Sequence, residues 1–138
     1  MCGITGIFGS SYQSREEILN KMVISLSHRG PDNNAVWIDE NNLIGLGHTR
    51  LSIIDLTQAG NQPMHSSNNR YVIVYNGEIY NHLEIKSKIE QKNYSKDNYR
   101  WNGNSDTEIL LESISSFGVL ETFVHNFHLL NLFVFRTH

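Results

Sequence analysis

A thiol becomes a nucleophile only when something nearby takes its proton, and the second residue of this chain carries both parts. The sequence opens MCGITGIFGS, and Cys2 is its one cysteine among 138 residues. Removal of Met1 would leave Cys2 with a thiol and a free α-amino group on the same carbon. Such an amine titrates at about 7.7 to 8.0, so near neutral pH an appreciable fraction is available as a base. No second side chain is then required for activation. The competing reading is a frayed, inert chain end. Against it, GITGIFG alternates small and apolar residues as a buried strand in close contact with other backbone would, so the terminus is expected to be tied into a sheet.

Asn76-Gly77, at the end of the apolar run RYVIVY, is the dipeptide most suited to positive backbone φ, and it predicts that a strand stops there in a tight turn. An ordinary hairpin would use the same pair. His28, Arg29 and Asp32 lie in SHRGPD around the helix stop Gly30-Pro31, and read as a shaped loop with Arg29 bonding backbone carbonyls. His125 and His128 stand three apart, but no HExxH pattern or third ligand accompanies them, so no metal is expected.

The elements that must position these residues follow from periodicity. Ser14 and Glu17 form a capping box before a helix with Leu19, Met22, Val23 and Leu26 on one face. NNAVWID and NLIGLGHTRLSIID read as strands around a polar DENN turn. Asn81 with Glu84, and Ser105 with Glu108, predict two further capped helices, the second ending at Gly118. NYSKDNYRWNGNS reads as a loop, and the last segment as a short helix and then a strand from about Leu129. Tyr75, Tyr80, Phe123, Phe127, Phe133 and Phe135 are expected in the core. Mixed strands and helices with hairpin connections point to an α+β layered fold.

Composition narrows the class. A 39% hydrophobic chain of 138 residues supports one domain, taken as residues 1–138. One cysteine excludes an internal disulfide framework and fits a reducing, cytoplasmic setting. No apolar run approaches the roughly 20 residues of a membrane span, and no signal peptide is evident. A net charge of −3 with scattered basic residues argues against nucleic acid as a partner.

Together and in this order, MCGITGIFG, SHRGPD, GHTRLSIIDL, GNQPM, YNGEIYN and SDTEILLE resemble the glutaminase domain of glutamine-dependent asparagine synthetases. These are class II glutamine amidotransferases with the N-terminal-nucleophile fold, an αββα sandwich of antiparallel sheets. RLSIIDL and YNGEIYN resemble the asparagine synthetase branch in particular. The resemblance implies L-glutamine as substrate, attacked by Cys2 to give a thioester, with Asn76 and Gly77 as the oxyanion hole. It implies Arg50 for the substrate carboxylate and Glu78 and Asp106 for its ammonium, with Leu51, Ser52, Ile53 and Ile54 lining the pocket. Arg50 could equally be a surface arginine of a strand, and Asp106 also complements the dipole of its predicted helix.

Other features depart from the family pattern. The synthetase domain's SGGxDS phosphate loop is missing, so no cofactor is expected in this chain, and ATP and magnesium would belong to a separate synthetase domain. Where the family continues with a segment like LNGMFAFAIWD, the chain reads HNFHLLNLFVFRTH, and the sandwich is expected to be incomplete at its C-terminus. A second reading follows: a catalytically silent remnant, or a subunit that delivers ammonia only when paired with a synthetase chain. Open sheet edges would also favour self-association. A nucleotide- or sugar-binding module lacks any supporting phosphate loop.

Overall fold

A computed structural model describes residues 2–9, 15–52, 56–93, 100–126 and 131–137. The chain runs β1 (Gly3–Phe8), α1 (Arg15–Ser25), β2 (Asn33–Asp39), β3 (Ile44–Arg50), β4 (Met64–His65), β5 (Tyr71–Asn76), α2 (His82–Asn93), α3 (Asp106–Phe117), α4 (Val119–Asn126) and β6 (Asn131–Arg136). A 3-10 turn, Gln58–Gly60, precedes β4. Among the described residues two three-stranded sheets form, ordered β1-β3-β2 and β4-β5-β6, with antiparallel pairing throughout. The expected α+β class is present.

The alternation along IGLGHTR explains the packing of the first sheet. Gly45 and Gly47 turn toward α1, where a Cβ on Gly47 would lie 2.5 Å from Val23 Cγ2, so only glycine lets the helix settle this close. Leu19 and Val23 fill that contact, as the helix periodicity predicts, while Met22 and Leu26 are only half-buried. The opposite face of β3 carries Ile44 and Leu46, which share a core with Val72 and Val74 of β5. Ile4, Trp37 and Phe135 pack around this seam. On the other face of β5, Tyr71, Ile73 and Tyr75 join Ile85, Ile89, Ile109, Leu110, Leu111 and Ile114 from α2 and α3. β5 is thus buried on both faces, which accounts for its unbroken apolar run.

Several expectations are corrected locally. Asn76-Gly77 makes no hairpin: neither residue has positive φ, and the chain passes from β5 through a short loop into α2. Glu84 pairs with Lys88 at 2.8 Å, one helical turn on. Ser105 does cap α3, accepting from the Thr107 N–H at 3.2 Å. Glu108 instead takes the Asn102 and Gly103 N–H groups at 2.7 and 2.9 Å, so it orders the loop before the helix. Gly118 ends α3 at φ 92°, as predicted. Tyr80 is 81% exposed and not core, because it sits at the turn before α2. Ser14, Phe127 and His128 fall outside the described residues.

Candidate active site

Antiparallel pairing of β1 with β3 sets Gly3 opposite Thr49, which carries Cys2 to the end of β3. The Gly3 N–H donates to Thr49 Oγ1 at 3.0 Å, and that hydroxyl donates to the Leu26 carbonyl at 3.2 Å. Leu51 N–H then donates to Cys2 Sγ at 3.3 Å, and the Leu51 carbonyl lies 3.7 Å from the same sulfur. Arg29 Nε donates to the Cys2 carbonyl at 3.2 Å, the backbone-bonding role anticipated for the SHRGPD loop. The half-buried cysteine is therefore held on both sides of its Cα, and its sulfur is oriented by a backbone donor.

The same loop fixes the segment after β3. Asp32 N–H donates to the Arg50 carbonyl at 3.0 Å, and Asp32 Oδ2 accepts the Ser52 N–H at 2.7 Å. Arg50 is 8% exposed, and its Nη1 donates to the Thr57 carbonyl and to Asn61 Oδ1, each at 2.7 Å. This is a strand-end arginine fixed in place, not a loose surface one. Leu51 and Ser52 are half-buried beside it. Ile53 and Ile54 lie outside the described residues.

A second group gathers at the end of β5. Asn76 is half-buried, and Gly77 and Glu78 are exposed. Gly77 is required by proximity: a Cβ there would stand 2.4 Å from Tyr75 Oη and 2.6 Å from Cζ. Asp106, buried at the start of α3, accepts the Ile79 N–H on Oδ2 at 3.0 Å and so anchors the Gly77-Glu78 segment. Burial raises the Asp106 carboxyl above the usual carboxylate range, opposed by the Ile79 and Thr107 N–H groups.

Sequence reasoning missed the polar residues between the two groups. His48 is 1% exposed; burial, and then the Arg50 charge, lower its pKa to about 4, while a backbone hydrogen bond to Tyr75 opposes them. Its ring is neutral at physiological pH and ties β3 to β5 across the seam. Among the described residues, His48 Nε2 and Tyr75 Oη find no hydrogen-bond partner. Burial above all, and then Asp106, raise the Tyr75 phenol. Asn61 and Gln62 join the two groups from the loop after the 3-10 turn. Their signal in the sequence is the segment GNQPM, which carries part of the family resemblance without assigning either residue a role. Among the described residues, no three His, Cys, Asp or Glu side chains cluster as metal ligands would. No helix among them is long and apolar enough to cross a membrane.

The structure is thus an α+β domain of antiparallel sheets in which a cysteine next to the first strand is held against the end of β3. The chain belongs to the glutamine amidotransferase domain family, whose model matches residues 1–136. It is 39% identical over 115 residues to asparagine synthetase [glutamine-hydrolyzing] 1 of Bacillus subtilis, covering 80% of this chain and 17% of that protein. A putative asparagine synthetase [glutamine-hydrolyzing] 2 of Methanocaldococcus jannaschii is 37% identical over 134 residues, covering 86% and 24%. The amidase chry2 of Gibberella zeae is 36% identical over 130 residues, covering 86% and 18%. The chain spans only 17% to 24% of the length of these relatives.

Proposed function

We propose that this domain hydrolyses the side-chain amide of L-glutamine and supplies the ammonia to the synthesis of asparagine or a related amide. The observation that carries this reading is the 3.3 Å contact from Leu51 N–H to Cys2 Sγ, which holds the sulfur at the residue that follows Arg50. With Met1 removed, the α-amine of Cys2 takes the thiol proton, and the thiolate adds to the carboxamide carbon. The Asn76 side-chain NH₂ and the Gly77 N–H stabilise the oxyanion. Collapse breaks the C–N bond, the α-ammonium returns its proton to the leaving nitrogen, and ammonia departs from a thioester. Water then cleaves the thioester to glutamate and restores the thiol.

Arg50 pairs with the substrate α-carboxylate, and Glu78 and Asp106 with its ammonium. The stacked sheets and their outer helices are read as the αββα arrangement of N-terminal-nucleophile hydrolases. ATP and magnesium would act on the acceptor in a synthetase domain, away from Cys2. The deciding experiment is intact mass before and after 6-diazo-5-oxo-norleucine. The expected result is loss of Met1 and one adduct that Cys2→Ala abolishes. A folded sample lacking Met1 that forms no adduct would overturn the reading.

A further inference from the structure

The Arg50 group sits on the first sheet and the Asn76 group on the second, so a substrate touching both depends on whatever fixes one sheet end against the other. Asn61 and Gln62 reach both. Asn61 Oδ1 accepts from Arg50 Nη1 at 2.7 Å. The adjacent Gln62, 8% exposed, accepts the Tyr75 N–H on Oε1 at 2.6 Å, one residue before Asn76. Gln62 Nε2 donates to Thr107 Oγ1 at 3.3 Å, one residue after Asp106. Two consecutive side chains thus bond next to, or directly with, three of the residues assigned to substrate.

β4 pairs with β5 only as far as Ile73, and beyond it Gln62 Oε1 takes the Tyr75 N–H in place of a ladder partner. Its primary amide accepts from that strand N–H and donates to a helix hydroxyl at once. We propose that Asn61 and Gln62 are positioning residues for glutamine hydrolysis: they set the distance between Arg50, Asn76 and Asp106, and so make the site selective for a substrate bearing both α-groups. This rests on the glutaminase reading above. Gln62 has two arms with separate consequences. The Thr107 arm governs where Asp106 meets the ammonium, and the Tyr75 arm governs where Asn76 meets the oxyanion.

The test compares Thr107→Val, which removes one acceptor at nearly constant shape, with Gln62→Met, which removes both arms. Steady-state hydrolysis of L-glutamine and of 4-aminobutanamide, which lacks the α-carboxylate, is measured for each, with thermal unfolding as the check on folding. For Thr107→Val, KM for L-glutamine should rise about 3- to 10-fold with kcat nearly unchanged, as expected for loss of one hydrogen bond. Thr107→Ser should restore the wild-type KM. Gln62→Met should lower kcat as well, by about 10-fold or more, and should narrow the preference for L-glutamine over the truncated amide. A wild-type enzyme that hydrolyses glutamine, with folded variants that leave KM and the substrate preference unchanged, would overturn this inference alone. A folded wild-type protein with no Cys2-dependent hydrolysis would overturn the glutaminase reading and this inference together.

Discussion

Gly77 is held in place by the ring beneath it, and the prediction it makes is a pairwise one. Gly77→Ala forces a methyl group against Tyr75 Oη at 2.4 Å, and overpacking of this kind typically costs about 1 to 3 kcal/mol. Tyr75→Phe removes the atom in closest conflict and leaves Cζ at 2.6 Å, so it should recover part of the loss. A double-mutant cycle by chemical denaturation measures that coupling. At Asp106, stability and the proposed ammonium-binding role oppose one another. Its raised carboxyl means that burial disfavours the charge, so ionisation destabilises the fold as pH rises above the unfolded carboxylate value. Asp106→Asn keeps an acceptor for the Ile79 N–H and removes the charge. The variant is expected to unfold at an equal or higher temperature at pH 7 while its KM for glutamine rises about 10-fold or more. A lower KM in the variant would remove Asp106 from the substrate site.

At the scale of elements, α3 shows what the sequence made legible and what it did not. Ser105 was readable as a cap because capping depends on residues two or three apart, and Ser105→Ala should lower stability by about 1 kcal/mol in thermal melts. Glu108, paired with Ser105 by spacing alone, is not a partner of that cap. Its carboxylate serves Asn102 and Gly103, which precede the cap, and that choice is made by the path of the loop. Glu112 shows the same dependence on tertiary path, accepting from Ser67 N and Oγ at 2.6 and 2.8 Å across 45 residues. The strand IGLGHTR advertised its sheet through alternation. Which face met a helix and which met another sheet was settled by Val23 and Leu19 on one side and Val72 and Val74 on the other. Among the candidate residues, Cys2 was singled out by its own thiol and Arg50 by the family resemblance. Asn61, Gln62 and His48 were not, because their importance lies in whom they touch.

For the molecule as a whole, acid stability should report His48. The unfolded chain takes up a proton near 6.5, whereas the folded protein resists until about 4, because burial and Arg50 disfavour the charged ring. Stability from the neutral ring is complete above the unfolded value and drains away as pH falls toward 4, by on the order of 3 kcal/mol. Urea midpoints from pH 7.5 to 4 should fall across that window, and His48→Gln should flatten the fall. An unchanged slope would mean that acid sensitivity arises elsewhere.

The bond between Leu51 N–H and Cys2 Sγ spans 49 positions of chain. On a ribosome adding about 5 to 20 residues per second, the thiol therefore emerges seconds before the strand that orients it has been made. During that interval Cys2 is an ordinary terminal cysteine, and Met1 can be trimmed from an unpaired chain end. Pairing of β1 with β3 then closes a long loop, a slow and non-local event in folding. On the glutaminase reading proposed above, trimming of the terminus and arming of the sulfur are thereby separated in time, and a newly made chain does not act on free glutamine before its sheet has closed.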